Sequence, residues 1–214
     1  TINPLKIKLH DTIFIPYIVS DQTTNSLIKH ITEKEVITES SEIINSKKLY
    51  SKIPEKIYQG ILKKSDNLIS ESLLANVGYI YTDTISVDNG IDKTLENLSQ
   101  EIQNGVEWFD GSGLSRYNMV KPKTIIYILS EIYNYWGLER IKENFPNNYI
   151  IEDKEDFVWG KTGTLKNNHN YSGFITNKKG KYYIFSIMIN HFNSELSDIR
   201  QSIVDFLLYV NKNG

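Results

Sequence analysis

The spacing of apolar residues changes along the chain and divides it into stretches of different character. Residues 5–20 alternate between apolar and polar positions and carry β-branched side chains, which predicts one or two strands. Pro16 makes the second of these an edge strand or a bent one. Residues 21–52 are polar and weakly patterned, and we predict a connector with a short helix at 24–33.

Between residues 54 and 136 the apolar positions recur with a helical period, which predicts four helices. Pro54 suits the first position of the first helix. Gly78 and Gly105 suit positions just beyond the ends of the second and third helices. The apolar faces are Ile57, Tyr58, Ile61 and Leu62; Leu68, Ile69, Leu73, Leu74 and Val77; Leu95, Leu98 and Ile102; and Ile125, Ile128, Leu129, Ile132 and Trp136.

The last third of the chain predicts an antiparallel sheet followed by a helix over 196–210. Residues 157–165, 171–177 and 181–190 are β-prone, and Asn177-Lys178-Lys179-Gly180 joins the last two as a hairpin. The run 182–189 is almost continuously apolar, which is typical of a strand covered on both faces and flanked on both edges. A bare edge invites aggregation, so we expect residues 5–20 or a segment outside this chain to cover it.

Composition excludes several classes of function. The 214 residues are 40% apolar and 23% charged, as in an ordinary globular protein of one or two domains. A net charge of −2 gives no electrostatic case for binding nucleic acid or an anionic membrane. There are no cysteines, and the four histidines lack the spacing of metal ligands, so we expect no metal and no cofactor. No apolar run approaches membrane-spanning length.

Three short polar motifs follow one another in a defined order. Ser65-Asp66-Asn67 lies between two predicted helices, Asp110-Gly111-Ser112-Gly113 forms a glycine-rich loop, and Lys161-Thr162-Gly163-Thr164 lies on a predicted strand. Each motif alone also suits a plain structural element: a helix cap, a turn or a strand end. A lysine in an apolar strand needs an anion to face, and a glycine beside it lets a ligand approach the backbone closely. Together the motifs resemble the set found in penicillin-binding proteins and serine β-lactamases.

The sequence around these motifs resembles the S13 peptidase family, the D-alanyl-D-alanine carboxypeptidases or class C low-molecular-mass penicillin-binding proteins. The resemblance implies an α/β (α+β) fold of the penicillin-binding-protein and β-lactamase type, with an antiparallel sheet flanked by helices. Residues 53–214 would be the C-terminal part of the transpeptidase-like catalytic domain, and residues 1–52 a connector or a return from an inserted domain. The similar stretches are KKSDNLISESLL (63–74), DGSGLSRYNMVKP (110–122), GKTGTL (160–165), and the SGFITN and FSIMIN strands.

The same resemblance implies a function. Members are envelope or periplasmic serine peptidases that trim the stem peptides of peptidoglycan through an acyl-enzyme and are acylated by β-lactams. We therefore expect a serine-type D-Ala-D-Ala carboxypeptidase, with endopeptidase activity on cross-links left open. Its partners would be peptidoglycan stem peptides, β-lactams and the N-terminal half of the same protein.

Family members also imply a role for each motif residue. Ser65 would relay a proton toward the leaving amine, and Asn67 would hold the substrate amide and orient the general-base lysine. Lys161 would supply positive potential, and the backbone N–H of Thr164 would be one donor of the oxyanion hole. The residues expected to bind or accommodate the terminal carboxylate are Thr162, Gly163 and Thr164.

The nucleophile motif departs from the family pattern. The chain has one Ser-x-x-Lys, Ser26-Leu27-Ile28-Lys29, which lies in a polar stretch and too close before Ser65. We interpret it as a chance match on a surface segment and keep Ser26 and Lys29 only as a disfavoured nucleophile pair. The sequence also opens at Thr1 without a basic and apolar leader. We therefore expect the C-terminal portion of a longer carboxypeptidase, without the reactive serine and its lysine.

Two other functions stay open on the sequence. A serine β-lactamase of the class A type needs a Glu-x-x-Leu-Asn loop for deacylation, which we do not find, and DGSGLS favours the carboxypeptidase. A non-catalytic domain that binds peptidoglycan or a partner is the second alternative. The motifs at Ser65 and Lys161 would form a carboxylate-binding cleft even without a nucleophile.

Overall fold

The computed structural model describes residues 20–39, 52–148, 151 and 156–214. The predicted strands at 5–20 therefore lie outside the described residues, except for Ser20. The chain divides into two units, 1–51 and 52–214. The described part of the first unit contains one helix, α1 (Asp21–Thr32), which confirms the helix predicted in the connector. The Ser20 side chain caps it by accepting the Thr23 N–H at 3.2 Å.

The second unit combines helices with an antiparallel sheet, as the sequence predicts. None of the helices in the described ranges is both long and apolar enough to cross a membrane. The helices are α2 (Glu55–Leu62), α3 (Asn67–Thr82), α4 (Val87–Glu96), α5 (Gln100–Gln103), α6 (Pro122–Asn144) and α7 (Leu196–Asn213). The strands are β1 (Val106–Glu107), β2 (Met119–Val120), β3 (Val158–Leu165), β4 (Asn168–Thr176) and β5 (Tyr182–Asn190).

The predicted end of the second helix at Gly78 is wrong. Helix α3 continues to Thr82 and ends at Asp83, which adopts the left-handed conformation with φ 54°. Gly78 is instead buried against α4, because a Cβ at this position would overlap the carbonyl oxygen of Ser86. Gly90 on α4 is equally close to the carbonyl oxygen of Leu74. Glycine here serves close helix packing rather than helix termination.

Two further helix boundaries differ from the sequence prediction. The single helix expected over Leu95, Leu98 and Ile102 is two, because the chain turns at Asn97 and becomes extended at Ser99 (ψ 152°) before α5 begins. Pro54 is the N-cap residue of α2 rather than its first helical residue. Both differences arise because apolar spacing predicts which face is buried better than where a helix breaks.

The sheet has the strand order β3-β4-β5, with both pairs antiparallel. This arrangement confirms the three predicted strands, and the turn at 177–180 confirms the predicted hairpin. One face of the sheet packs a cluster around Tyr171 and Ile175 against Ile203 and Leu207 of α7. The other face packs Trp159 and Phe174 against α6. The sheet is thus flanked by helices on both faces.

Strand β5 is less enclosed than its apolar sequence predicts. Only Phe185 is buried within it, and the other apolar residues are partly buried or exposed. Strand β4 flanks one edge of β5, whereas no strand among the described residues flanks the other. The described residues therefore leave part of the apolar surface of β5 uncovered.

Candidate active site

The Lys161-Thr162-Gly163-Thr164 motif lies where the outer edge of β3 becomes open. Residues 146–148 run along this edge beside residues 158–160. The N–H of Gly160 donates to the Pro146 carbonyl at 2.9 Å, and among the described residues this is the last such contact along the edge. Beyond Gly160 no described segment pairs with this edge of β3. Gly160 faces outward, and backbone groups alternate in an antiparallel strand, so the N–H groups of Thr162 and Thr164 also face outward.

The side chain of Lys161 turns over this edge. Its ammonium donates to the backbone carbonyl of Thr162 at 2.6 Å, and burial lowers the pKa of the amine. The lysine is half-buried and makes no ion pair with a described carboxylate. A partly desolvated cation beside backbone donors that no described segment pairs with is a suitable site for an anionic group.

The alternation of β3 places the motif residues on two faces. Lys161 and Gly163 share a face with Trp159, and a Cβ built on Gly163 would meet no atom within 4 Å. The side chains of Thr162 and Thr164 lie on the opposite face, beside their β4 partners Tyr171 and His169. Gly163 therefore leaves open space on the face that carries the lysine.

His169 is a residue of this site that the sequence did not single out. Its Nδ1 lies 2.8 Å from the Oγ1 of Thr164, and the imidazole is fully buried. Burial and the charge of Arg200 lower the pKa of His169, so the ring is neutral at pH 7. Its Nε2 has no hydrogen-bond partner among the described residues. A lone histidine on an otherwise ordinary strand gave no signal in the sequence.

Ser65 forms the turn that joins α2 to α3. It adopts the left-handed conformation with φ 54°, which is uncommon for a residue other than glycine. The cap of α3 is Asp66, whose Oδ1 accepts the Ile69 N–H at 3.0 Å, so the alternative that Ser65 caps this helix is wrong. The side chains of Ser65 and Asn67 are both exposed. This turn presents the two polar side chains to solvent at the start of a helix.

The packing of α2 places the Ser65 turn on the same side of the sheet as Lys161. Leu62, three residues before Ser65, packs against the cluster that contains Trp159. Trp159 and Lys161 share one face of β3 because they are two residues apart. The end of α2 and the lysine therefore face the same side of the sheet.

An ion pair fixes α2 against α6. The guanidinium of Arg140 on α6 lies 2.9 Å from the Glu55 carboxylate and 4.6 Å from the ring centroid of Trp136. It also lies 5.2 Å from the ring centroid of Tyr58, which is 5.0 Å from that of Trp136. This cation–π arrangement holds the helix that leads into the Ser65 turn.

Glu71 joins the first motif to the second, and sequence reasoning missed it. Its carboxylate accepts the backbone N–H groups of Gly111 and Ser112, each at 3.1 Å. Glu71 lies on α3 one turn after Asn67. Its acidic side chain at that spacing was the available signal. The helix that begins with the Ser65 turn therefore also anchors the 110–118 loop.

The loop itself is organised by Asp110. Its carboxylate accepts N–H donors from Gly113 at 2.5 Å, Ser115 at 2.6 Å and the Asn118 side chain at 2.9 Å. Burial would raise the pKa of Asp110, but these hydrogen bonds outweigh it and hold the pKa below its usual range. Asp110 therefore acts as an ionised structural centre of the loop.

The second unit also contains an apolar cleft of about 880 Å³ beside this loop. The walls come from the loop and its flanking strands, from α4 and from α6. Its lining includes Ile125, Ile132 and Trp136 and the exposed Tyr135. An opening of this size and polarity suits another protein segment or an apolar ligand.

The disfavoured nucleophile pair lies in the first unit on α1. Ser26 donates to the Gln22 carbonyl of its own helix at 2.9 Å, and Lys29 forms an ion pair with Glu35 at 2.5 Å. Both residues are exposed, and within the described part of this unit no hydrogen bond joins them. The lysine is thus engaged by a carboxylate rather than directed at the serine.

Comparison with known proteins places the chain among peptidases. A model of the D-Ala-D-Ala carboxypeptidase 3 (S13) family matches residues 29–210. The D-alanyl-D-alanine carboxypeptidase DacB of Haemophilus influenzae is 30% identical over 168 residues, which are 70% of this chain and 34% of that protein. The chain spans about a third of the length of the curated relatives it matches.

Solved structures similar to this chain agree with the family match. Penicillin-binding protein 4 (dacB) from Haemophilus influenzae, complexed with a β-lactam, matches with a TM-score of 0.60 and 27% identity, over 73% of this chain and 41% of that chain. The TLA-1 extended-spectrum β-lactamase matches with a TM-score of 0.54 at 14% identity, over 74% of this chain and 64% of that one. The second likeness concerns the fold alone. The predicted fold class and family are confirmed.

Proposed function

Because the chain belongs to the D-Ala-D-Ala carboxypeptidase 3 (S13) family, we propose that it supplies the substrate-binding wall of a serine-type D-Ala-D-Ala carboxypeptidase. The observation that carries this proposal is the open edge of β3 at Thr162 and Thr164, beside the half-buried cation of Lys161. The substrate would be a peptidoglycan stem peptide, and a β-lactam would bind at the same edge.

An extended peptide fits this edge as an added strand. The outward N–H groups of Thr162 and Thr164 would pair with its backbone, and Gly163 leaves room beside it. The ammonium of Lys161 would exchange the Thr162 carbonyl for the C-terminal carboxylate of the peptide, helped by the hydroxyls of Thr162 and Thr164. When the scissile carbonyl is attacked, the N–H of Thr164 would donate to the developing oxyanion.

The Ser65 turn would form the opposite wall. By family resemblance Ser65 relays a proton toward the leaving amine, and Asn67 holds the peptide amide. Their exposure and the fixed backbone of the turn support these roles, since both side chains are free to meet a ligand. Anchoring of the 110–118 loop by Glu71 keeps the turn and the loop in one arrangement.

The nucleophilic serine and its lysine would come from a segment other than Ser26 and Lys29, in the N-terminal half of the same protein. Two surfaces of the second unit suit such a partner. One is the apolar cleft beside the loop, and the other is the edge of β5 left open by the described residues. The location that goes with this function is the periplasm or cell envelope, where peptidoglycan is found.

The proposal is tested by binding and by acylation. We expect an N-acetylated peptide that ends in D-Ala-D-Ala to bind the chain, and the same peptide with a C-terminal amide to bind at least tenfold more weakly. Lys161→Met should remove this difference, whereas Lys179→Met, at an exposed position of the 177–180 turn, should preserve it. Equal affinity for the two peptides would contradict a carboxylate site.

Intact mass after incubation with benzylpenicillin tests the source of the nucleophile. We expect no covalent adduct from this chain alone, and an adduct when the N-terminal half is present. A stoichiometric adduct that disappears in Ser26→Ala would make Ser26 the nucleophile.

A non-catalytic peptidoglycan-binding domain is the second candidate. It needs no nucleophile, and the ion pair of Lys29 with Glu35, which keeps that lysine away from Ser26, agrees with it as it does with a nucleophile from another segment. Peptide binding by the whole protein without any β-lactam adduct would select this function.

A further inference from the structure

We propose that His169 is a positioning residue that donates its Nδ1–H to the Oγ1 of Thr164, which leaves the hydroxyl proton of Thr164 free to donate to a bound carboxylate. This inference deepens the proposed function and rests on it for the identity of the anion. The hydrogen-bond direction itself can be measured without any ligand.

The geometry joins a buried group to an exposed one. His169 and Thr164 are directly paired across β4 and β3, and the ring nitrogen and the hydroxyl oxygen are 2.8 Å apart. The imidazole has no exposed surface, whereas Thr164 is exposed. The hydroxyl that contacts the buried histidine therefore belongs to a residue that is itself exposed at the surface.

The unpaired nitrogen of His169 decides which tautomer is favoured. Burial and the nearby charge of Arg200 lower the pKa of His169, so the neutral ring has a single proton to place. On Nε2 that proton would be a buried donor without a partner among the described residues. On Nδ1 it is used by Thr164, and only a lone pair is left unpaired. A buried unpaired N–H is the rarer and costlier outcome, so the Nδ1–H tautomer is favoured.

The tautomer sets the polarity that Thr164 presents to a ligand. A hydroxyl has one proton and two lone pairs. If it accepts from His169, its own proton turns outward and can form a charge-assisted bond with an anion. If it donates to His169 instead, it presents lone pairs to the anion, which is repulsive. His169 thus acts on the substrate only through Thr164.

The direction of the bond is tested first by ¹⁵N NMR of the imidazole in the full chain. We expect a protonated, pyrrole-like Nδ1 and an unprotonated, pyridine-like Nε2 for His169. The signal is assigned by its loss in His169→Asn. A pyrrole-like Nε2 would overturn the proposal whether or not the chain binds any peptide.

A double-mutant cycle tests the action through Thr164. We expect His169→Leu to weaken binding of the D-Ala-D-Ala peptide about five- to tenfold and to leave the C-terminal amide unaffected. In a Thr164→Val background, His169→Leu should cost nothing further. His169→Asn should bind nearly as the wild type does, because its amide can donate from the position of Nδ1. His191→Asn, at an exposed histidine, is the matched control.

The outcomes are distinguishable. Additive losses in the cycle, or equal losses for His169→Leu and His169→Asn, would show a structural role for His169 and overturn the inference. Failure of the wild type to prefer the carboxylate peptide would instead overturn the proposed function, and the ¹⁵N spectrum would still decide the direction of the His169 bond.

Discussion

The Glu71 carboxylate accepts the backbone N–H of Ser112 at 3.1 Å, which ties α3 to a loop some forty residues further along the chain. The other carboxylate oxygen accepts the N–H of Gly111 at the same distance. Gly111 permits this approach because a Cβ there would lie 2.9 Å from the carbonyl oxygen of Ser70. One side chain thus connects the helix that begins at Asn67 with the loop that carries the second motif.

Replacing Glu71 with glutamine should destabilise the second unit by about 1–2 kcal/mol. The amide has only one acceptor oxygen, and its NH₂ group would face one of the two backbone donors. The midpoint of urea unfolding measures the loss, and faster hydrogen exchange at the Gly111 and Ser112 amides would locate it. Glu143→Gln, at an exposed position of α6, should change stability by less than about 0.5 kcal/mol. Equal effects of the two variants would contradict this account.

Gly90→Ala should destabilise the protein by about 1–3 kcal/mol, because the added methyl group would overlap the backbone of Leu74 on α3. The sign is informative, since alanine is favoured over glycine by about 1 kcal/mol in a free helix. Thermal or urea unfolding measures the effect. Gly60→Ala on α2 is the matched control, because its Cβ would meet only the flexible Cδ1 of Ile69. A greater loss for Gly60→Ala than for Gly90→Ala would oppose this interpretation.

The sequence predicted the helices and strands that have a regular apolar pattern. It did not predict the contacts between particular pairs of residues. Apolar spacing predicted α7, the part of α6 up to Trp136 and the three strands of the sheet, because each has a regular pattern of apolar positions. It misread Gly78, since the close approach of Ser86 at the start of α4 is not visible in the apolar pattern. The predicted fold class depended on regular patterns and on motif order, and both are properties of the sequence itself.

The candidate site could also be predicted only in part. The motifs at Ser65 and Lys161 could be found because their residue types and order are distinctive. Glu71 and His169 could not be assigned roles, because each acts through one contact with a residue that the fold brings close. Their types were visible in the sequence, whereas their partners were not.

The buried His169 should give stability a pH dependence of defined sign. Its pKa in the folded state is lowered from 6.5 by burial and by Arg200, so the unfolded chain takes up the proton first. Stability from this group is therefore full above 6.5 and falls as the pH drops through 6.5 toward the lowered folded value. Free energies of unfolding at about pH 7.5 and about pH 5 should differ more in the wild type than in His169→Asn. An equal change of unfolding free energy with pH in the two proteins would show that His169 is not the source of the pH dependence.

Binding of the D-Ala-D-Ala peptide should weaken at alkaline pH earlier than an ordinary lysine would permit. Burial lowers the pKa of Lys161 from 10.5, and the carboxylate binds the protonated amine. Affinity should therefore be constant below the lowered pKa and then fall by up to about tenfold per pH unit above it, with an onset below 10.5. Titrations over this range measure it, with the C-terminal amide peptide as a pH-independent control. Lys161→Arg, which stays charged, should flatten the decline. A decline of the same steepness in Lys161→Arg would assign it to another group.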